Sequence, residues 1–185
     1  MVDILSKNKF IESVAEGAIS GWHKHGVLPS ISLSQAILES AWGTSELAVE
    51  ANNLFGIKGD YKGKSYVVNT SEYIDGKWLR VDASFKEYPD WNHSVEDHGE
   101  FFVSTPWRKN NYKKVVGEED YKKTARALQD SGYATDPKYA DKLIGIIEQY
   151  GLYKYDDMAL NPEKDTLFSL EGRNYRIDRI SEDDK

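Results

Sequence analysis

Apolar residues recur at helical spacing along most of this 185-residue chain and at strand spacing in one central stretch, and that change of period limits what it can fold into. Phe10, Ile11, Val14, Ala15, Ala18, Ile19 and Trp22 alternate steps of one and three, which predicts an amphipathic helix over 7–24, capped near Ser6 and stopped by Gly26. A second stripe, Leu33, Ala36, Ile37 and Ala41, predicts a helix closed by Gly43, with Ser32 and Gln35 at capping-box spacing. Thr44-Ser45-Glu46 opens a shorter helix reaching about Ala51. Over 60–88 the period becomes two, and Asp75-Gly76 between β-forming runs signals a hairpin. With those two as the turn residues, Ile74 faces Lys77, Tyr73 faces Trp78 and Glu72 faces Leu79. Helical spacing returns over Ser94–Val103, again over Asp120–Gln129, and last over Pro137–Tyr150. Asp136-Pro137 begins that last helix, Gly151 ends it, and Tyr139, Leu143, Ile146, Ile147 and Tyr150 form its inward stripe. The fold class is α+β, mainly α, with one small hairpin.

A chain of this length accommodates one ordinary domain. From Tyr155 the acidic residues cluster and the apolar period weakens, so the domain is expected over 1–154 and an acidic linker or tail over 155–185. Within that tail, Phe168, Leu170, Tyr175, Ile177 and Ile180 suit a small hairpin or the beginning of a truncated module. Cysteine is absent, which removes disulfides and thiolate chemistry. A net charge of −7 argues against nucleic-acid and anionic-lipid partners. There is no apolar run long enough to span a membrane, and the first residues lack the pattern of a signal peptide. His23 and His25 are two apart and His93 and His98 five apart, neither spacing placing two ligands on one helical face, so no metal is expected. A phosphate-cradling glycine loop and a nucleophile elbow are also missing.

Two carboxylates remain of interest. Glu39 lies on the rim of the second helix's stripe, about 60° around from Ala36, with Trp42 one turn further on. The last carbonyls of a helix make the local potential negative, a setting that suits a carboxyl required to hold its proton. On spacing alone an ordinary helix glutamate is the simpler reading. Glu72 shares a strand face with Ile74, Leu79 and Val81, so it is either edge-exposed or turned toward a cleft.

Leu38-Glu39-Ser40-Ala41-Trp42-Gly43 is followed by Asn52-Asn53-Leu54-Phe55-Gly56-Ile57-Lys58-Gly59, Ser71-Glu72-Tyr73, Phe85-Lys86-Glu87-Tyr88, Asp97-His98 and Gly132-Tyr133-Ala134-Thr135-Asp136-Pro137-Lys138-Tyr139. In that order, over about residues 8 to 152, the chain resembles the glucosaminidase family of peptidoglycan hydrolases, glycoside hydrolase family 73. The resemblance implies a lysozyme-like helical lobe facing a small β-hairpin lobe across a substrate cleft. It implies an endo-β-N-acetylglucosaminidase cutting the β-1,4 bond between N-acetylglucosamine and N-acetylmuramic acid in bacterial cell wall. A lytic transglycosylase or N-acetylmuramidase on the same fold, or a non-catalytic wall-binding or phage-tail module, are the alternatives. Glu39 then corresponds to the general acid and Glu72 to the second carboxylate, with Glu87 in the same lobe as its rival and attack by the substrate's own N-acetyl group as a further route. Tyr133 joins the catalytic group, although a buried structural tyrosine fits its position too. Trp42, Asn53, Phe55 and Tyr139 are the expected substrate-binding positions. Asp97 and His98 are expected to brace the lobe junction. Where relatives often carry arginine this chain has Lys86, which lacks a bidentate fork and should weaken any contact made there. Peptidoglycan strands are the expected partner of a monomer that needs no cofactor, acting at the wall as a phage lysin released by another route or as a trimmed secreted protein.

Overall fold

In the computed structural model, residues 4–74, 76–162, 167–170 and 173–176 are described, the side chains of 70–74, 78–79 and 167–176 excepted. The helical stripes meet around the second helix. α1 (Ile4–His25) and α2 (Pro29–Ser40) pack together, and Ile31, Leu33 and Ala36 of α2 are fully buried. The capping box does not form: α2 starts at Pro29, Ser32 is buried inside its first turns, and Leu28 supplies no side-chain cap. Proline at the first position has no N–H to satisfy. The next one, on Ser30, donates 2.7 Å to Asp156 Oδ1 from a distant helix, so the start is set by a tertiary partner that local spacing cannot reveal. Ala41 adopts the left-handed region at the far end, and Gly43 follows at φ 73°. A Cβ on Gly43 would lie 2.7 Å from the Trp91 ring.

α3 (Glu46–Glu50) is capped by Ser45. β1 (Ser65–Ile74) and β2 (Lys77–Lys86) form the antiparallel hairpin in the expected register, Ile74 opposite Lys77 and Glu72 opposite Leu79, and the ladder extends down to Ser65 opposite Lys86. Among its described side chains only Ala83 is buried, so the ribbon stands off the core. α4 (Trp91–Phe101) starts three residues before the expected Ser94, capped by Asp90. Ser94 instead accepts the N–H of Leu54 at 3.1 Å. α5 (Pro106–Asn111), capped by Thr105, was not anticipated; α6 (Tyr121–Asp130) was, with Asp120 as its cap. α7 (Tyr139–Tyr150) buries Tyr139, Leu143 and Ile147 and ends at Gly151, φ 61°.

The tail expected from Tyr155 begins instead as α8 (Tyr153–Leu160), whose Tyr155, Asp156 and Ala159 are buried against α1 and α2. Two apolar residues four apart make too short a stripe to stand out, and a buried aspartate disguises it further. β3 (Leu167–Leu170) pairs antiparallel with β4 (Arg173–Arg176), a hairpin of the kind the apolar residues suggested. Ile177 and Ile180 lie outside the described residues.

Candidate active site

Glu39 is exposed, one residue from the end of α2. Gln35 sits one turn earlier on the same face. Its amide donates 3.0 Å to the Tyr139 hydroxyl, which donates in turn 3.0 Å to Glu39 Oε1. Burial, reinforced by neighbouring Tyr133 and Glu39, pushes the Tyr139 phenol well above its ordinary range, so it stays a protonated donor. With Oε1 occupied, Oε2 is the oxygen left to face the groove.

Two adjoining cavities, the arms of that groove, meet at Glu39. One arm, a cavity of about 620 Å³, is lined by Phe55, His98, Phe101, Arg108, Tyr112 and Tyr133 among others. The other, about 360 Å³, is lined by Ser45, Glu46, Asn53 and, from the hairpin, Val68 and Phe85. Glu39, Phe55 and Gly56 belong to both. A second cavity of about 620 Å³ lies along α6, but its Lys122 and Arg126 are already paired with Glu148 and Asp141, and it lacks an aromatic wall.

Aromatic rings build the first arm. Phe55 stacks on His98 with centroids 3.9 Å apart, and Tyr133 lies nearly parallel to Phe102 and Tyr139 at 5.8 and 5.7 Å. The Tyr133 hydroxyl is 3.1 Å from His98 Nε2. Burial pushes the His98 pKa down to about 3, so the ring is neutral near pH 7, and burial raises the Tyr133 phenol so that it too stays protonated.

The hairpin's base is clamped. Asp97 accepts Lys86 Nζ at 3.0 and 2.8 Å and the Tyr88 hydroxyl at 2.7 Å. Asp97 therefore sits where a brace was expected, with one Lys86 ammonium reaching both of its carboxylate oxygens.

The expected binding residues separate. Phe55 and Tyr133 line the groove. Asn53 borders the second arm but is buried, with its amide spanning Ile57 and the Lys86 carbonyl, and so fixes the loop that presents Phe55. Tyr139 orients Glu39 from behind. Trp42 lines neither arm: its ring packs on Phe10 and Tyr150, with Lys7 Nζ 4.9 Å above it, because the left-handed Ala41 turns the chain away from the helix path. Glu87 is half-buried and lines neither arm. The side chain of Glu72 lies outside the described residues. The sequence offers Gln35 only as a capping-box partner and does not single out Arg108; the i, i+4 spacing to Glu39 points to the first, and Thr105-Pro106, a cap followed by a first-turn proline, points to the helix carrying the second. Among the described residues no three histidine, aspartate or glutamate side chains converge on a possible metal position.

Solved structures share this fold. The catalytic domain of the autolysin Auto from Listeria monocytogenes matches with a TM-score of 0.75 at 38% identity, covering 84% of this chain and 90% of that one. The glycoside hydrolase domain of FlgJ from Salmonella typhimurium matches with a TM-score of 0.62 at 27% identity, covering 87% and 99%. The fold is that of lysozyme-like glycoside hydrolase catalytic domains. Residues 15–152 match the glucosaminidase family, described as mannosyl-glycoprotein endo-beta-N-acetylglucosaminidase, and the chain belongs to that family. Exo-glucosaminidase LytG of Bacillus subtilis is 48% identical over 84% of this chain and 56% of its own length. A probable N-acetylmuramidase of Lactococcus lactis is 40% identical over 82% of this chain and 35% of its own. The chain thus spans about half of the first relative and a third of the second.

Proposed function

We propose that this chain is the catalytic domain of a cell-wall hydrolase, an endo-β-N-acetylglucosaminidase that cuts the β-1,4 bond between N-acetylglucosamine and N-acetylmuramic acid in bacterial peptidoglycan. The observation that carries this reading is Glu39, held through Oε1 by a protonated phenol where the two arms of the groove meet. A groove extending both ways suits an interior bond of a polymer, whereas an exo-acting enzyme needs one end closed. Glu39 Oε2 gives its proton to the glycosidic oxygen as the bond from C1 breaks. A water deprotonated by Glu72 adds to C1, leaving a hydroxyl on each product. Tyr133 and Phe55 supply a hydroxyl and a ring face for the sugar beside that bond. Asn53 and Tyr139 serve substrate binding indirectly, through the loop and the acid they hold.

Glu39→Gln keeps the shape and cannot donate the proton. It should lower wall lysis by about a hundredfold or more while the melting temperature stays near the parent's; lysis above about a tenth of the parent's would refute the assignment. The relatives named as N-acetylmuramidases favour one other reading, cleavage of the alternate bond. Mass spectrometry of digested walls separates the two, since glucosaminidase products carry reducing N-acetylglucosamine and muramidase products reducing N-acetylmuramic acid. Anhydro ends would instead identify a lytic transglycosylase.

A further inference from the structure

We propose that Arg108 is a carboxylate-recognising residue of this cleft and makes the protein select glycans with acidic substituents over neutral N-acetylglucosamine chains, an inference that rests on the reading above. Arg108, half-buried on α5, lines the same arm of the groove as Glu39 and Tyr133. Its guanidinium lies 4.0 Å over the Phe101 ring, and Nη1 donates 2.9 Å to Ser104 Oγ. Stack and hydrogen bond together fix the plane of the fork before any ligand arrives, so little rotamer freedom is left to lose on binding.

What the fork lacks is an acid. Among the described residues Arg108 has no carboxylate partner, although Glu100 lines the same arm and the chain holds 31 acids against 24 bases. The contrast with Lys86, in the same cavity, is direct, because that cation is fully engaged by Asp97. A planar, preset and unpaired guanidinium is matched by a planar carboxylate through two parallel N–H···O bonds. Neutral N-acetylglucosamine chains offer no such group. Muramic acid does: its lactyl ether ends in a carboxylate, free in peptide-free strands and replaced by carboxylates of the stem peptide in substituted ones.

The test compares the parent, Arg108→Gln and Arg108→Lys on an N-acetylglucosamine oligomer, a peptide-free alternating glycan and a peptide-bearing glycan. Arg108→Gln should raise KM on acidic glycans about tenfold or more, the scale of a lost charge-assisted hydrogen bond. With kcat nearly unchanged, that pattern is lost binding rather than lost chemistry. KM for the neutral oligomer should not move, and lysine should recover part of the loss. A rise on peptide-free strands identifies the lactyl carboxylate as the partner, and one confined to peptide-bearing strands identifies the stem. Equal losses on neutral and acidic glycans, or none on either, overturn the proposal. If the oligomer is not turned over, its inhibition constant against wall lysis supplies the neutral arm. A parent that cleaves none of the three overturns the proposed function instead, and the affinities of parent and Arg108→Gln for the acidic glycans then decide the role of Arg108.

Discussion

Asp156 and His98 show how two buried titratable residues give this domain opposite responses to acid. Burial pushes the Asp156 carboxyl up from 3.8 to about 6, although the Ser30 N–H bonds it. The folded state then holds this proton more tightly than the unfolded chain, so the contribution is full below about pH 4 and lost as pH rises through about 6. His98 runs the other way: with its pKa pushed from 6.5 to about 3, its contribution is full above 6.5 and lost as pH falls toward 3. Asp156→Asn keeps an oxygen for Ser30 and removes the buried charge. It should raise stability at pH 7 by roughly 1–3 kcal/mol, and it should steepen the fall in melting temperature below pH 6.5, where the His98 effect is left unopposed. Melting profiles that superpose on the parent's from pH 4 to 8 would exclude this account. Neither group was legible as buried. Asp156 lies in a stretch whose acidity reads as solvated, and nothing in the spacing of His98 distinguishes a packed ring from an exposed one. Glu39 stands out in the sequence because its neighbours repeat a family pattern; Trp42, in the same run, packs on Phe10 and Tyr150 because the left-handed Ala41 between them redirects the chain.

Among the elements, the hairpin register is readable in full and the starts of α2 and α4 are not. Asp-Gly fixes a two-residue turn, after which pairing is a matter of counting. Helix starts depend on which polar side chain reaches an unsatisfied N–H, and Ser32 and Ser94, both plausible caps by sequence, are buried among helices instead. The register places Glu72 opposite Leu79, on the ribbon that stands off the core, and Glu87 beyond its base. If Glu72 activates water, Glu72→Gln should cost about a hundredfold or more in kcat, and Glu87→Gln should cost little. The opposite ranking would transfer the role to Glu87, and small effects at both would point to the substrate's N-acetyl group. Rates for the two variants on one peptidoglycan preparation decide among these.

For the whole molecule, the family match ends at residue 152, yet α8 beyond it supplies buried Tyr155 and Ala159 and the carboxylate that closes the start of α2. A chain cut after 152 should melt below the intact protein, since it forfeits the buried Tyr155 and Ala159 and the cap on α2. A chain cut after 162 should melt like the intact protein. Equal melting temperatures for the two truncations would show α8 to be dispensable. The hairpin has its own mechanical consequence. Its clamp is at the base, where Lys86 and Tyr88 meet Asp97, while Glu72 stands well out along the strand. At about 3.3 Å per residue, the step from Val68, which lines the groove beside Glu39, to Glu72 is roughly 13 Å, and the span from Ser65 roughly 23 Å. The gap an inverting pair of carboxylates tolerates is roughly 6.5–9.5 Å. If Glu72 serves as the second carboxylate, the ribbon would act as a lever with its fulcrum at Asp97: a rotation of roughly 15° at a radius of 23 Å carries Glu72 about 6 Å, and a sugar strand bound in the groove would have to supply the force for that swing.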